Sequence, residues 1–350
     1  MDGIRIGDRK IGLEHKPFVV AEMSGNHNQS LDRALEIVEA AARAGAHALK
    51  IQTYTAEIMT LDVDHGEFFI SDPNSPWKGK SLFTLYQEAC TPWEWHKPIF
   101  QHCRELGLIA FSSPFDASSV DFLESLGAPC YKIASFENNW PDLIRKVAST
   151  GKPVIISTGM ASLSELEEAV SAARESGCKE LALLKCTSSY PSTSENTNLR
   201  TIPDLRRLFD CEVGLSDHTG GLGAAVASIA LGATIIEKHF TLRRADGGVD
   251  STFSLEPDEM RMLVVETERA WESLGEIFYG PTESEKKSLV YRRSLYISRD
   301  LEPGDVLTKE NVRVIRPGLG LPPRDLDRVL GKKLNRKVKK GTPVSWDIIG

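Results

Sequence analysis

Eight short apolar runs rich in β-branched residues alternate, over about the first 275 residues, with longer segments of helical spacing. The runs are 17–22, 46–52, 108–113, 129–135, 153–158, 181–187, 212–218 and 234–240. A strand followed by a helix, repeated eight times, is the pattern of an α/β fold of the (β/α)8 TIM-barrel type. A doubly wound open sheet is the alternative. That fold needs a glycine-rich phosphate turn, and the sequence contains neither G-x-G-x-x-G nor G-x-x-x-x-G-K-[ST].

Local signals mark where individual helices begin and end. Ser30 precedes apolar residues at helical spacing and Gly45 follows them, so we predict a helix between the two. The capping-box-like sequence SLSE at 162–165 predicts a helix over 164–176, and another helix is predicted over 257–274. Residues 53–91 are predicted to form a long loop, and loops of that length are mostly functional.

The alternation stops after about residue 284, where short strands and turns replace the long helices. We therefore predict a barrel domain over 1–283 and a small β-rich domain over 284–350, joined by a linker at about 281–290. The formal net charge of −7 is unevenly divided, because residues 284–350 carry +8 and the preceding residues carry −15. A basic domain of this kind could bind nucleic acid or could dock on an acidic body.

Composition excludes several classes of protein. No stretch approaches the ~20 apolar residues of a membrane helix, and the first residues lack the apolar segment of a secretory signal. The six cysteines are far apart and form no C-x-x-C pair, which is typical of a reduced, cytoplasmic protein. The basic run 332–340 has no interleaved aromatic residues, so we expect neither a nucleic-acid partner nor a membrane partner.

Polar side chains at the ends of the predicted strands carry the candidate chemistry, because barrel active sites lie at the C-terminal ends of strands. The strand ends contain Glu22, Lys50, Gln52, Ser112, Ser113, Lys132, Ser135, Ser157, Thr158, Lys185, Thr187, Ser216, His218, Glu237 and His239. His218 and His239 end the seventh and eighth strands, which are neighbours in a barrel. Two imidazoles on one inner face suit a divalent metal such as Mn, Fe or Zn, and two core histidines are the alternative.

Three lysines, Lys50, Lys132 and Lys185, end inner strands beside hydroxyl groups. Several cations and hydroxyls that converge on one barrel mouth suggest an anionic, phosphorylated substrate. The alternative is that these lysines balance carboxylates, for which Glu22, Glu137 and Glu237 are available.

Several motifs resemble the sialic acid synthase family. The matching segments are AEMSGNHNQS (21–30), KIQTYT (50–55), YKIAS (131–135), STGM (157–160), CTSSYP (186–191), GLSDHT (214–219) and EKHFTL (237–242). NVRVIRPG (311–318) and GKKL (331–334) resemble that family's C-terminal SAF domain, which is related to antifreeze proteins. The resemblance implies a TIM barrel followed by an SAF domain, and a homodimer in which each SAF domain covers the partner's barrel mouth. The implied reaction condenses phosphoenolpyruvate with an acylated amino-sugar aldehyde and releases phosphate.

The resemblance also implies roles for individual residues. His218 and His239 would bind a divalent metal, Mn, with Mg, Co or Fe as alternatives. Phosphoenolpyruvate would be held by Lys50, Ser113, Lys132, Ser135, Ser157 and Ser188, although neuraminate synthases often carry Asn at position 188. The sugar or the reacting centre would be contacted by Glu22, Gln52, Tyr190, Ser216, Glu237 and Asp250. Arg316 would reach the sugar in the partner's barrel, and Lys132 would stabilise the leaving phosphate. Glu22 is the first candidate for the general base and Glu137 the second.

Within the family, QTYT after Lys50 and the form of segment 53–91 resemble the branch that makes pseudaminic acid. The implied sugar is then 2,4-diacetamido-2,4,6-trideoxy-L-altrose. N-acetylneuraminate, legionaminate and spore-coat polysaccharide synthases are the enzymatic alternatives. A sugar- or nucleic-acid-binding module that uses the basic tail is the non-enzymatic alternative.

Overall fold

The computed structural model describes residues 3–350 and contains two compact units, one that ends at Gly275 and one over Glu276–Gly350. The strands in this part of the chain are β1 Ile4–Ile6, β2 Arg9–Ile11, β3 Phe18–Glu22, β4 Ala48–Thr53, β5 Ile109–Pro114, β6 Tyr131–Ile133, β7 Val154–Ser157, β8 Leu181–Cys186, β9 Glu212–Ser216, β10 Ile235–His239, β11 Ser294–Ile297 and β12 Val312–Ile315. Strands β3 to β10 pair in parallel in chain order, and β10 pairs with β3 to close the barrel. The predicted (β/α)8 fold is confirmed. The assignment of residues 276–283 to the barrel domain stays a prediction.

The described residues also form helices in both units. Within residues 3–350 they are α1 Leu31–Ala44, α2 Ala56–Met59, α3 Leu82–Ala89, α4 Trp93–Glu105, α5 Ala117–Ser125, α6 Pro141–Ala148, α7 Leu163–Glu175, α8 Thr201–Phe209, α9 Gly223–Ala230, α10 Pro257–Leu274, α11 Glu283–Lys286 and α12 Leu326–Val329. The predicted capping residues act as expected. The Ser30 side chain accepts a hydrogen bond from the Arg33 N–H at the start of α1, and Gly45 ends α1 with a φ of 83°. Ser162 and Glu165 form the capping box of α7. Among residues 3–350, no helix combines the length and the apolar character that a membrane crossing requires.

An antiparallel hairpin, β1–β2, precedes the barrel and was not predicted. Its strands pair from Ile4↔Ile11 to Ile6↔Arg9, and three isoleucines, Ile4, Ile6 and Ile11, are buried against the barrel interior. The interior residues below the mouth are Phe18, Val20, Ala48, Phe111, Cys130, Ile155, Ala182, Leu184 and Ile235. Each strand of the hairpin has three residues, which is too short for apolar alternation to be visible in the sequence.

Segment 53–91 contains regular structure, so the prediction of one long loop is wrong for residues 56–59, which form α2, and for residues 82–89. Helix α3 occupies residues 82–89, because the Ser81 hydroxyl accepts a hydrogen bond from the Thr84 N–H and Phe83 and Leu85 are buried. The predicted linker also contains a helical turn, α11, which begins with a capping box between Thr282 and Glu285.

The second unit is built around one antiparallel pair, β11 and β12, which runs from Ser294↔Ile315 to Ile297↔Val312. Its own core contains Leu295, Ile297, Leu301, Leu307, Val312, Val329, Leu334, Val338, Val344 and Ile348. Isolated bridges such as Leu301↔Val338 add short strand-like contacts. This unit is small and β-rich, as predicted.

Gly214, on β9, makes the packing of β9 against β10 possible. A Cβ atom at this position would overlap the Ile235 carbonyl oxygen and would lie 2.7 Å from Leu184 Cδ2. We expect Gly214→Ala to lower the free energy of unfolding by about 1–3 kcal/mol, because the barrel wall would be overpacked. Urea denaturation measures this loss. Gly223→Ala is the control, since a Cβ there meets no atom within 4 Å and should cost nothing. Equal stability of the two variants would contradict this account of Gly214.

Candidate active site

Four charged side chains converge inside the barrel just below its mouth. Lys50 Nζ lies 2.7 Å from Glu22 Oε2 and 3.8 Å from Glu237 Oε1, and Lys132 Nζ also lies 3.8 Å from Glu237 Oε1. All four side chains are almost completely buried. Their burial is possible because two cations face two carboxylates, so no charge is left without a partner.

The environment separates the pKa values of these groups. Burial raises the pKa of Glu22, and the attraction of Lys50 only partly opposes this. For Glu237, burial would also raise the pKa, but the charges of Lys132 and Lys50 outweigh it and hold the pKa below its usual value. Burial lowers the pKa of Lys132. Two carboxylates with opposite pKa shifts in one cavity are typical of acid–base sites.

Hydroxyl groups lie beside the two lysines. Lys50 Nζ donates to Ser113 Oγ at 3.4 Å, and Lys132 Nζ donates to Ser157 Oγ at 2.6 Å. Ser216 Oγ donates to Glu237 Oε1 at 3.2 Å. This half of the mouth therefore offers ammonium and hydroxyl donors of the kind that bind carboxylates and phosphates.

Ser135 and Ser188 lie close to the backbone of Gly159. A Cβ atom on Gly159 would overlap Ser188 Oγ and would lie 2.6 Å from Ser135 Oγ. Asn138 Nδ2 fixes this loop, because it donates to the carbonyl oxygens of Ser157 and Gly159 at 3.1 and 3.0 Å. Asn138 and Gly159 were not predicted as site residues, although STGM was recognised as a motif.

Lys185 does not join the other lysines. Along β8, the side chains of Ala182 and Leu184 lie in the barrel interior. Because side chains alternate along a strand, Lys185 lies on the outer face. Lys185 Nζ donates to the Cys186 carbonyl oxygen at 2.9 Å and to Thr187 Oγ1 at 3.3 Å. Cys186 takes the inner position, with its sulfur 3.9 Å from His218 Nδ1. The expectation that Lys185 contributes to an anion site is wrong, because β8 is buried on both faces and its inner face could not be assigned from sequence.

The two predicted metal ligands face each other. The ring centroids of His218 and His239 are 5.2 Å apart, and both side chains are buried. His218 Nδ1 donates to the Thr187 carbonyl oxygen at 3.1 Å, so Nε2 is the nitrogen that an unprotonated ring would offer to a metal. His239 Nδ1 is buried without a hydrogen-bond partner and lies 3.6 Å from Asp250 Oδ2. Burial, together with the charges of nearby lysines such as Lys50, lowers the pKa of His239 well below its usual value, so its imidazole is neutral, as a metal ligand must be.

These two histidines fit a divalent metal by the chemistry of their nitrogen atoms. In the part of the chain that the structure describes, no cluster of three or more His, Cys, Asp or Glu side chains has the spacing of a metal site.

Aromatic and polar side chains surround the histidine pair. The Tyr190 ring centroid lies 4.6 Å from that of His218, and the Phe253 centroid lies 5.0 Å from that of His239. Trp77, which was not predicted as a site residue, lies 6.0 Å from Tyr190 and donates from Nε1 to the Val249 carbonyl oxygen.

A chain of hydrogen bonds links this aromatic region to the charged cluster. Gln52 Nε2 donates to Glu22 Oε1 at 2.9 Å and to Ser24 Oγ at 3.1 Å. Ser24 Oγ in turn donates to Asp250. Gln52, Tyr190 and Asp250, all predicted substrate contacts, are thus brought to one side of the mouth. Ser24 was missed, because it follows β3 in a 3-10 turn, Ser24–His27, that the sequence did not reveal.

Glu137 lines a cavity of about 400 Å³, together with Phe115, Phe136 and Trp140. Burial raises the pKa of Glu137 to about 7, and its Oε2 has no hydrogen-bond partner. Arg316 belongs to the second unit, where it is exposed directly after β12. No salt bridge within residues 3–350 involves Arg316.

Comparison with known proteins gives the same family as the motifs. The model of the NeuB family matches residues 37–279, and the SAF domain model matches residues 292–349. Pseudaminic acid synthase of Campylobacter jejuni is 42% identical over 94% of this chain and 95% of its own length. Pseudaminic acid synthase of Helicobacter pylori is 41% identical over 95% of this chain and 98% of its own length.

A solved structure is also similar. It is the N-acetylneuraminic acid synthetase from Leptospira borgpetersenii in complex with citrate, which is 34% identical to this chain, with a TM-score of 0.73 over 83% of this chain and 95% of its own. The prediction from the motifs is confirmed: the chain belongs to the NeuB family, with an SAF domain at its C-terminal end.

Proposed function

We propose that this chain is a pseudaminic acid synthase, which condenses phosphoenolpyruvate with 2,4-diacetamido-2,4,6-trideoxy-L-altrose and water to give pseudaminic acid and phosphate. The observation that carries this proposal is the division of the barrel mouth into two halves. One half presents buried lysines and hydroxyls, and the other presents two histidines beside an aromatic wall. The predicted activity agrees with the names of the relatives at 41–42% identity. A cytoplasmic location is also proposed, supported by six cysteines that are all free thiols.

The lysine half holds phosphoenolpyruvate. Lys50 and Lys132 bind its negative charges, and the hydroxyls of Ser113, Ser135, Ser157 and Ser188 donate to its oxygen atoms. The C–O bond to phosphate breaks in the reaction, so negative charge grows on the leaving group. Lys132 stabilises that charge without reorganisation, because its ammonium is already fixed by Ser157.

The histidine half holds the sugar. His218 and His239 bind a divalent cation, which we propose is Mn, with Mg, Co or Fe as alternatives. When bound, the cation acts as a Lewis acid on the aldehyde oxygen of the sugar. Gln52, Tyr190 and Asp250 orient the sugar, and Ser216 orients Glu237. A homodimer, with Arg316 supplied by the partner's SAF domain, completes the proposal and is supported by the opposite charges of the two regions.

In the reaction, C3 of phosphoenolpyruvate forms a bond to the aldehyde carbon, and the aldehyde oxygen takes up a proton to become a hydroxyl. Water adds to C2, phosphate leaves with its bridging oxygen, and C2 becomes a carbonyl that keeps the oxygen of the water. A carboxylate must take the proton of the water. We propose Glu22, because it contacts Lys50 on the phosphate side and Gln52 on the sugar side. Glu137 is the second candidate, because its pKa of about 7 suits a base at neutral pH.

A substrate panel tests the proposed function. Phosphate release from phosphoenolpyruvate is measured with Mn and three sugars: the altrose sugar, N-acetylmannosamine and the legionaminate precursor. We expect kcat/KM for the altrose sugar to exceed the other two values by at least roughly tenfold. The reason is that a site built to hydrogen-bond one sugar leaves its polar groups unpaired when a different sugar binds. Preference for another sugar would assign the chain to another branch of the family. No phosphate release with any sugar would favour a binding module.

The pH dependence of kcat separates the two candidate bases. A base must be ionised, so wild-type kcat should fall as the pH drops below the pKa of the base, which is raised for both residues. We expect Glu22→Gln to lower kcat by about 10²–10⁴-fold at every pH and Glu137→Gln to keep the wild-type profile. An active Glu22→Gln enzyme, together with loss of an inflection near pH 7 in Glu137→Gln, would assign the base to Glu137 instead.

Mixing two inactive variants tests the proposed role of Arg316. If Arg316 serves the partner's barrel, then His218→Ala and Arg316→Ala chains form mixed dimers in which one site is complete. After random exchange, activity should return to about a quarter of the wild-type value, because half of the dimers are mixed and each has one complete site. Exchange is followed by mass spectrometry. Complete exchange without any activity would show that Arg316 acts in its own chain, whereas an Arg316→Ala variant that is active by itself would show that Arg316 has no such role.

A further inference from the structure

A second ion pair is buried behind the wall of the barrel mouth. Lys238 Nζ lies 3.0 Å from Asp217 Oδ2, and both side chains have no exposed surface. Each residue immediately precedes one of the two histidines. Ile235 and Glu237 point into the barrel, so alternation turns Lys238 outwards, and the charge of Lys238 also reaches Glu259 on α10. The pair is therefore separate from the four-charge cluster inside.

The pair joins β9 and β10 where their backbone pairing ends. These strands share two register pairs, Ile236↔Leu215 and Glu237↔Ser216, whereas β10 and β3 share five. Beyond the last register pair, Lys238 Nζ donates to the Thr219 carbonyl oxygen, and Asp217 Oδ1 accepts from the Thr219 N–H at 2.9 Å. The three residues of 217–219, with His218 at their centre, are thus attached to β10.

Stability alone does not account for this pair. Two buried charges lose their hydration, and replacement of such a pair by uncharged residues of similar size is often neutral or stabilising. The hydrogen-bond geometry is also incomplete, because Asp217 Oδ2 has no aligned donor. What the pair does provide is a side-chain link between the two strand ends beyond their last backbone hydrogen bond, in which the Asp217 N–H donates to the Glu237 carbonyl oxygen at 3.0 Å.

We propose that the Asp217–Lys238 pair positions the two histidines for metal binding. It fixes the spacing of the strand ends that carry them, so its loss lowers metal affinity while the fold is retained. This inference rests on the proposed function, in which His218 and His239 bind a divalent cation. Residues that act behind metal ligands in this way contribute substantially to affinity although they never touch the ion.

The test uses the full-length double variant Asp217→Asn/Lys238→Met. It removes both charges, keeps side chains of similar size, and keeps an acceptor for the Thr219 N–H. The dissociation constant for Mn(II) is measured from the electron paramagnetic resonance signal of the free ion, and Tm is measured on the same samples. We expect the Mn(II) Kd to rise by about 10–100-fold, with a Tm close to that of the wild type.

The matched control is Arg206→Met/Glu212→Gln. This pair also lies at β9, but Glu212 begins the strand, at the end away from the mouth, and Arg206 Nη1 lies 2.9 Å from Glu212 Oε2. We expect this control to keep the wild-type Mn(II) Kd. An equal rise in Kd in both double variants would overturn the inference, because the effect would then be a general one on the barrel.

A third variant, His218→Ala, separates this inference from the proposed function. If His218→Ala keeps the wild-type Kd, or if the wild type does not bind Mn(II), the metal proposal fails and this inference fails with it. If His218→Ala loses affinity while Asp217→Asn/Lys238→Met keeps it, the positioning role alone is wrong. Should that double variant fail to fold, Asp217→Asn/Lys238→Gln, which keeps a donor for the Thr219 carbonyl oxygen, is measured against the same criterion.

Discussion

The pairing of the last barrel strand with the first determines the arrangement of the mouth. Five register pairs join β10 to β3, from Ile235↔Phe18 to His239↔Glu22, and they close a sheet whose edges would otherwise be unpaired. Closure places the candidate base beside a candidate metal ligand, although the two residues are more than 200 positions apart in the chain. It also buries the polar side chains of the interior, and most of these find a partner in the protein.

Burial explains why charges occur at the mouth in groups. Lys50 and Lys132 alternate with Glu22 and Glu237, so substrate anions meet cations that are already held in place. A rigid set of donors of this kind stabilises developing charge more effectively than water, which must reorient. Outside the same wall, the Asp217–Lys238 pair follows the same rule of mutual neutralisation. The mouth therefore has polar groups fixed on both faces of its strands.

The sequence predicted the strand order, the long capped helices and most of the polar residues at the strand ends, because each depends on local pattern. Ser30, Gly45 and the 162–165 capping box are examples. It failed where the outcome depends on contacts between distant segments. The direction of Lys185 required the inner face of β8, which is buried on both sides. The roles of Asn138 and Gly159 could not be predicted, because they depend on contact between the loop after β6 and the loop after β7.

The barrel interior has two layers of different chemistry. Charged and hydroxyl side chains fill the mouth, whereas apolar residues and the β1–β2 hairpin fill the opposite end, where the buried isoleucines Ile6 and Ile11 seal the floor. The residues that stabilise the barrel and the residues of the candidate active site thus lie in separate regions of the same barrel. Exchange of residues at the rim can alter which aldehyde fits without disturbing the layer that holds the strands together. Because the two regions are separate, substitutions at the rim can change substrate specificity during evolution while the folding stability of the barrel is preserved.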